Sequence, residues 1–244
     1  MIRIDNRYLK NELTRNDSTV RNEVLASIFV EKYIYPNSIL YVGTDPKKKL
    51  PDIHNKSNTL GFEVVRCEAA NDFLHNDATK EFVKINHDYT KYLDLKNSNP
   101  EHIFNKVNLK LTVIDNKICA FSTLEYGHSI DWMLEKYRST IQKKLKKLNS
   151  GNYENCSNVS LVILNLSRAN GILNAEQVRQ AYSEEAQKYT LLFNSIYYIT
   201  TDGIYFIDTR ECKILKSFID NEYSISVRKM KQLLKIDEYK NDLD

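Results

Sequence analysis

Pro51-Asp52 and, eleven residues after that aspartate, Glu63 in the apolar run Leu60-Gly61-Phe62-Glu63-Val64-Val65 are residues whose types and spacing suit chemistry. Side chains alternate across a β-strand, so Leu60, Phe62 and Val64 share one face and Glu63 and Val65 the other. A carboxylate in the middle of such a strand is costly to bury unless it is paired or binds a cation. Asp52 falls on the preceding predicted strand, and the polar turn His54-Asn55-Lys56-Ser57-Asn58 between them brings the two carboxylates side by side. Two carboxylates facing a cleft suit a hard divalent cation, Mg2+ or Mn2+. Such a cation binds a phosphate oxygen and lowers the pKa of a bound water for attack. The same spacing also fits an ordinary surface pair, an Asp at a turn and a Glu on an edge strand, and two-residue motifs recur often by chance.

A lysine supplies the complementary charge. Projected at 3.6 residues per turn, the segment from Trp132 to Leu148 lines up Met133, Leu134, Tyr137, Ile141, Leu145 and Leu148 as one apolar stripe. Lys144 falls inside the stripe, while Lys143, Lys146 and Lys147 fall outside it, toward solvent. A lysine on a core-facing stripe needs an anionic partner or a route for its ammonium to water. Reaching the Asp52/Glu63 pair, it would stabilise a pentavalent phosphate or position the attacking water. The four lysines also suit a phosphate backbone, although a solvated helix face is the commoner meaning of such a cluster. His128 and Asp131 resemble catalytic residues only superficially: Ser129 reads as a helix cap and Asp131 as a complement to the helix dipole. Among the 16 tyrosines, Tyr197, Tyr198 and Tyr205 read as half-buried strand residues before they read as base-stacking platforms.

The elements that must position these groups follow from the apolar periods. A helix is predicted from Asp17 to Tyr35, ended by Pro36-Asn37. Short strands follow at 38–44 and 50–53, and Leu60–Cys67 closes a hairpin with the second of these. The turn 45–49 is basic. A polar stretch covers 71–106, then a hairpin around Asp115-Asn116, then a helix from Ser129 to Leu148 stopped at Gly151. Ser160–Ser167 is nearly all apolar, the pattern of a buried central strand. Asn174 caps another helix, an Asp-Gly turn joins two strands at 195–209, and the tail reads as a helix.

Composition sets the outer limits. With 42% hydrophobic residues among 244, a packed core is within reach and wholesale disorder is excluded. No Pro-, Gly- or Ser-rich linker and no repeat divides the chain, so a single domain over 1–244 is expected. Only 6 glycines are present, and neither G-x-G-x-x-G nor a P-loop occurs, which removes the common nucleotide fingerprints. The four cysteines are scattered, arguing against zinc and against a disulfide framework. The opening residues lack the apolar stretch of a signal peptide, and no run approaches the ~20 residues of a membrane span. A cytoplasmic protein without a membrane partner is therefore expected. The net charge of +3 is too small to indicate a partner.

Pro51-Asp52 followed by Gly61-Phe62-Glu63-Val64-Val65 resembles the signature of the PD-(D/E)XK nucleases, the restriction-endonuclease-like fold. The order of elements from about Asp17 to Ser167 is similar to that family's. The resemblance implies an α/β fold, a mixed sheet flanked by helices, with a core at about 17–167 and a C-terminal hairpin and helix elaboration at about 168–244. It also implies a divalent-metal-dependent endonuclease acting on DNA phosphodiesters and open to homodimerisation. The family's lysine would stand at position 65, where this chain has valine. Some members take it from the following helix, in a pattern similar to Ile141-x-x-Lys144-x-x-Lys147 with an aromatic, here Tyr153, just after. The resemblance thus implies Asp52, Glu63 and Lys144 as catalytic residues. It implies Asp52, Glu63 and the main-chain carbonyl of Val64 or Val65 as metal ligands, and Lys143 and Lys147 as alternatives to Lys144 that contact nucleic acid. Glu23 is the nearest match to the acidic residue of the family's leading helix, although its own projection turns it away from the apolar stripe. Val65 favours the second reading, the same fold without catalysis, binding nucleic acid or a protein partner.

Overall fold

The computed structural model describes residues 1–43, 49–67, 78, 81–106, 109–114, 117–122, 130–165, 173–218 and 221–236. The chain forms two compact units: Met1–Cys67 with Ile130–Leu166 and Ile172–Asp244, and Glu68–Ser129 with Ser167–Gly171. No compositional shift marks any of the four crossings, which is why the sequence reads as one domain.

The larger unit opens with β1 (Ile2–Ile4), α1 (Asn6–Lys10), α2 (Glu12–Asn16) and α3 (Ser18–Phe29). Asp17 caps α3 by accepting the Thr19 N–H at 2.6 Å. The helix predicted to Tyr35 does continue past Phe29, but its end widens into a π-helical turn, Val30–Ile34. Then come β2 (Leu40–Val42), β3 (Ile53–Asn55) and β4 (Gly61–Arg66). In the smaller unit, α4 (Tyr89–Ser98) and α5 (Ile103–Lys106) precede the expected hairpin of β5 (Leu109–Ile114) and β6 (Lys117–Ser122). The Asp115-Asn116 turn lies outside the described residues. Ala78, Phe82, Tyr92 and Phe104 make that unit's own small core.

The larger unit resumes with α6 (Ile130–Asn149), β7 (Val159–Leu164), α7 (Ala175–Ala186), β8 (Ile196–Ile199), β9 (Gly203–Ile207), β10 (Cys212–Ser217) and α8 (Glu222–Leu233). Gly151, at φ +76°, ends α6 as expected. Its N–H reaches Leu148 O and that of Asn152 reaches Lys147 O, the two bonds of a Schellman motif. Asn174 and Gln177 form a reciprocal capping box at α7.

The architecture is α/β. An eight-stranded mixed sheet runs β1-β2-β3-β4-β7-β8-β9-β10, with β4, β7 and β8 parallel at its centre. The C-terminal strands therefore extend the sheet that carries Glu63. Alternation along the strands divides two cores. Phe62, Val64, Val162 and Leu164 pack with Val24, Ile28 and Phe29 of α3 on one face. Val65, Leu161, Ile163 and Tyr198 pack with Tyr137, Ile141 and Leu145 of α6 on the other. The stripe projected for α6 is the face that buries. Glu63 is on a central strand and fully buried, so the surface-pair alternative for it does not hold. The strands β1 and β10 have no counterpart in the sequence reading, because β1 is three residues long and β10 is largely exposed, without a clean alternation. Among the described residues no helix is long and apolar enough to cross a membrane.

Gly61 is where the turn before the acidic strand closes on itself. A Cβ there would run into the Pro51 ring at Cγ and lie 2.7 Å from Cys156 Sγ. Gly61→Ala should therefore cost about 1–3 kcal/mol, the usual penalty for overpacking, read from urea unfolding; an unchanged midpoint would mean that Pro51 is not seated there.

Candidate functional site

The site is built where β3 leaves β4. The two strands pair at His54–Gly61 and Ile53–Phe62, and the pairing stops there. One step further along, Asp52 would stand opposite Glu63. Asp52 is thus not on the strand but in the bend that precedes it. Its Oδ2 accepts the Val64 N–H at 2.8 Å, replacing the ladder bond that β3 no longer supplies. The Asp52 carbonyl accepts the Gly43 N–H at 3.1 Å, which ties the bend to the end of β2.

Glu63 lies on the α6 face, as alternation requires. Its Oε1 accepts from Lys144 Nζ at 2.6 Å and from Lys147 Nζ at 2.8 Å. The three-residue spacing of these lysines puts both on one side of α6. Their side chains are 23% and 42% exposed, while that of Glu63 is 0% exposed, so each stem crosses apolar surface from a wet edge to a dry carboxylate. Lys147 Nζ also sits 5.0 Å from the centre of the buried Tyr153 ring.

Electrostatics separate the carboxylates. Burial pushes Glu63 up, but the ammoniums of Lys144 and Lys147 outweigh it and hold the group below the usual carboxylate range. Asp52 is pushed up to about 7 by burial and by the Glu63 charge. Glu23 of α3 is pushed up to about 8, by burial and then by the Asp52 charge. Tyr8 Oη donates to Glu23 Oε2 at 3.2 Å. The Tyr153 hydroxyl is raised by burial and by the Glu63 charge.

Asp52, Glu63 and Lys144 thus converge. Besides Asp52, which lies in a bend and not on the strand, two placements differ from expectation. Lys147, projected toward solvent, reaches Glu63, because it neighbours Lys144 at i+3 on the edge of the stripe and its four-carbon stem spans the rest. Glu23, projected away from the apolar stripe, is 6% exposed, because α3 is buried nearly all round and not along one stripe. Lys143 points to solvent. The two carbonyls also separate. The N–H groups of Gly61 and Cys67 point to β7, so by alternation Val65 belongs to the β7 ladder, while Val64 faces Asp52. Of the two residues, Val64 is the one on the Asp52 edge of the strand. Lys49 of the basic turn pairs with Glu154, and 45–48 lie outside the described residues, as do His128 and Ser129. Asp131 is exposed in the first turn of α6, as its dipole reading requires. Tyr8 went unread because nothing in its polar N-terminal context distinguishes it from a surface tyrosine.

The donor set suits a hard cation of the Mg2+ kind. Both lysines engage Glu63 at Oε1, so its Oε2 is buried with no ammonium on it, and Asp52 is held half-buried against its own ionisation. No group of three His, Cys, Asp or Glu among the described residues encloses an ion by itself. Mg2+ does not ask for one: it is commonly held by one or two carboxylates together with water and substrate phosphate.

Two measurements check this electrostatic picture. Asp52 and Glu23 bind protons more tightly folded than unfolded, so their contribution to stability is lost as pH rises through about 7 to 8. Glu63 has the opposite sign, and its contribution is lost as pH falls below the usual carboxylate range. Without metal, Tm should therefore fall between pH 5 and 8, and Asp52→Asn should flatten that slope; an equally steep slope in the variant would contradict it. Second, Lys144→Met should be tolerated while Lys147 remains, whereas Lys144→Met/Lys147→Met strands the carboxylate and should cost about 3–5 kcal/mol, relieved by Glu63→Gln.

The chain matches no known protein family, no curated protein and no solved structure.

Proposed function

We propose that the protein is a divalent-metal-dependent nuclease of restriction-endonuclease-like fold that hydrolyses DNA phosphodiester bonds. The observation carrying this reading is the Lys144 ammonium, 2.6 Å from Glu63 Oε1 and delivered from a neighbouring helix in the absence of a lysine at position 65. Asp52, Glu63 and the Val64 carbonyl are the groups that would hold Mg2+ or Mn2+. The bound cation supplies Lewis acidity toward a phosphate oxygen and a more acidic water. Lys144, less tightly enclosed than Glu63, turns its ammonium to a phosphate oxygen and stabilises the charge that grows there. Lys147 remains on Glu63 and Tyr153. The exposed Lys143 meets the phosphate backbone, a contact that adds affinity without sequence information. Cleavage of both strands calls for two such sites, which a homodimer supplies. The reducing cytoplasm suits the chain, since Cys67, Cys156 and Cys212 form no disulfide.

One observation favours a second reading, nucleic-acid or protein binding without catalysis. Glu63 Oε1 is already shared by two ammoniums, which neutralise the charge a cation would need.

Supercoiled plasmid incubated with Mg2+ or Mn2+ separates the two. Nicking that EDTA abolishes is expected, with Asp52→Asn, Glu63→Gln and Lys144→Met each lowering the rate by about 100-fold or more. Full activity in both carboxylate variants would overturn the proposal. Binding without cleavage under either metal, weakened by salt and by removal of Lys143 and Lys147, would select the second reading.

A further inference from the structure

Tyr8 has no part in the chemistry proposed above, yet the N-terminal segment is built so as to deliver its hydroxyl to the carboxylates. Asp5 donates its N–H to Val42 O at 2.9 Å, fixing the segment to the end of β2. The Asp5 carboxylate caps α1 by accepting the Arg7 N–H at 2.8 Å. The Tyr8 ring then lies against Gly43, where φ is +88° and an added Cβ would sit 2.8 Å from Cε2 and 3.1 Å from Cζ. Only glycine allows both that conformation and that approach. The same Gly43 holds the Asp52 carbonyl through its N–H. One glycine therefore seats the tyrosine and the aspartate together. At the far end of the ring the hydroxyl donates to Glu23 Oε2 at 3.2 Å. Glu23 and Asp52 feel each other's charge strongly, and Tyr8 feels both. The hydroxyl stays protonated in that field and remains a donor.

We infer that Tyr8 is a positioning residue that orients the Glu23 carboxylate beside Asp52, toward the cation held by Asp52 and Glu63. This rests on the metal-site reading above and adds to it a residue that touches neither cation nor substrate. Glu23 would act through the water shell of a bound ion, which Mg2+ retains in large part when only one or two carboxylates hold it. The hydroxyl does for Glu23 what outer-shell partners do for ligating groups generally: it selects one rotamer and favours the ionised form.

Mn2+ binding to the full chain, followed by calorimetry without nucleic acid, tests this. The proteins are wild type, Tyr8→Phe, Glu23→Gln and the double variant, each checked for an unchanged thermal transition at pH 6. Tyr8→Phe keeps the ring on Gly43 and removes only the donor. It should weaken Mn2+ about 10-fold, the lower end of the range for outer-shell partners. The double variant should be no weaker than Glu23→Gln alone, because the tyrosine acts through the glutamate. Unchanged affinity in Tyr8→Phe, or losses that add in the double variant, would overturn the role of Tyr8 and leave the metal site standing. Should Tyr8→Phe disturb the transition, Tyr8→Leu serves as the packing control: equal loss in both would assign the effect to the hydroxyl that both lack, whereas a much larger loss in Tyr8→Leu would assign it to packing and overturn the inference. Absence of Mn2+ binding in the wild type would overturn the metal-site reading and this inference with it.

Discussion

A carboxylate with no exposed surface, in a central strand covered on both faces, constrains much of the larger unit. Glu63 needs a counter-charge, and α6 supplies two at one oxygen. That requirement fixes how α6 lies on the sheet: Tyr137, Ile141 and Leu145 bury against β4, β7 and β8, while Lys144 and Lys147 run along the edge of the same surface. The Schellman turn at Gly151 begins just beyond Lys147 and brings Tyr153 back under its ammonium. A one-residue slip of β4 would move Glu63 to the α3 face, among Val24, Ile28 and Phe29 and away from Lys144 and Lys147. A buried ion pair adds little net stability over apolar packing of the same shape. What it secures here is an ionised carboxylate at a defined place.

Beside it, the sheet is left incomplete. Pairing of β3 with β4 stops at Ile53–Phe62, and Asp52 takes the Val64 N–H that a longer strand would have used. The aspartate satisfies the backbone and is itself disfavoured as an anion, because it is poorly solvated and faces Glu63. Glu23 repeats the conflict from α3. Locally unfavourable charge in an otherwise consistent fold is the mark of a functional site more often than of a structural one.

Much of this was legible from residue patterns. The acidic strand alternates, so the face of Glu63 followed from period two. The α6 stripe is clean, so the inward place of Lys144 followed from 3.6. Asp17, Asn174 and Gly151 announce helix ends by their own chemistry. The failures are equally physical. Glu23 sits on a helix buried all round, for which a one-stripe projection has no meaning. Lys147 reaches Glu63 from the edge of the stripe along a four-carbon stem, whose length a wheel of Cβ directions does not describe. The strands at either end of the sheet are too short, or too exposed, to carry alternation.

The sequence by itself determined the α/β class, the helix and strand that carry the charged groups, and the identity of Asp52, Glu63 and Lys144 as the groups to watch, because each stands out against a local period. Tertiary structure alone decided that Glu63 is central and dry, that Lys147 joins Lys144 on it, that Val64 and not Val65 lies on the Asp52 edge of the strand, and that Tyr8 and Glu23 arrive from the N-terminal segment. Those outcomes depend on where β3 ends and on which element covers which face. Such contacts join residues far apart in the chain, and no local periodicity records them.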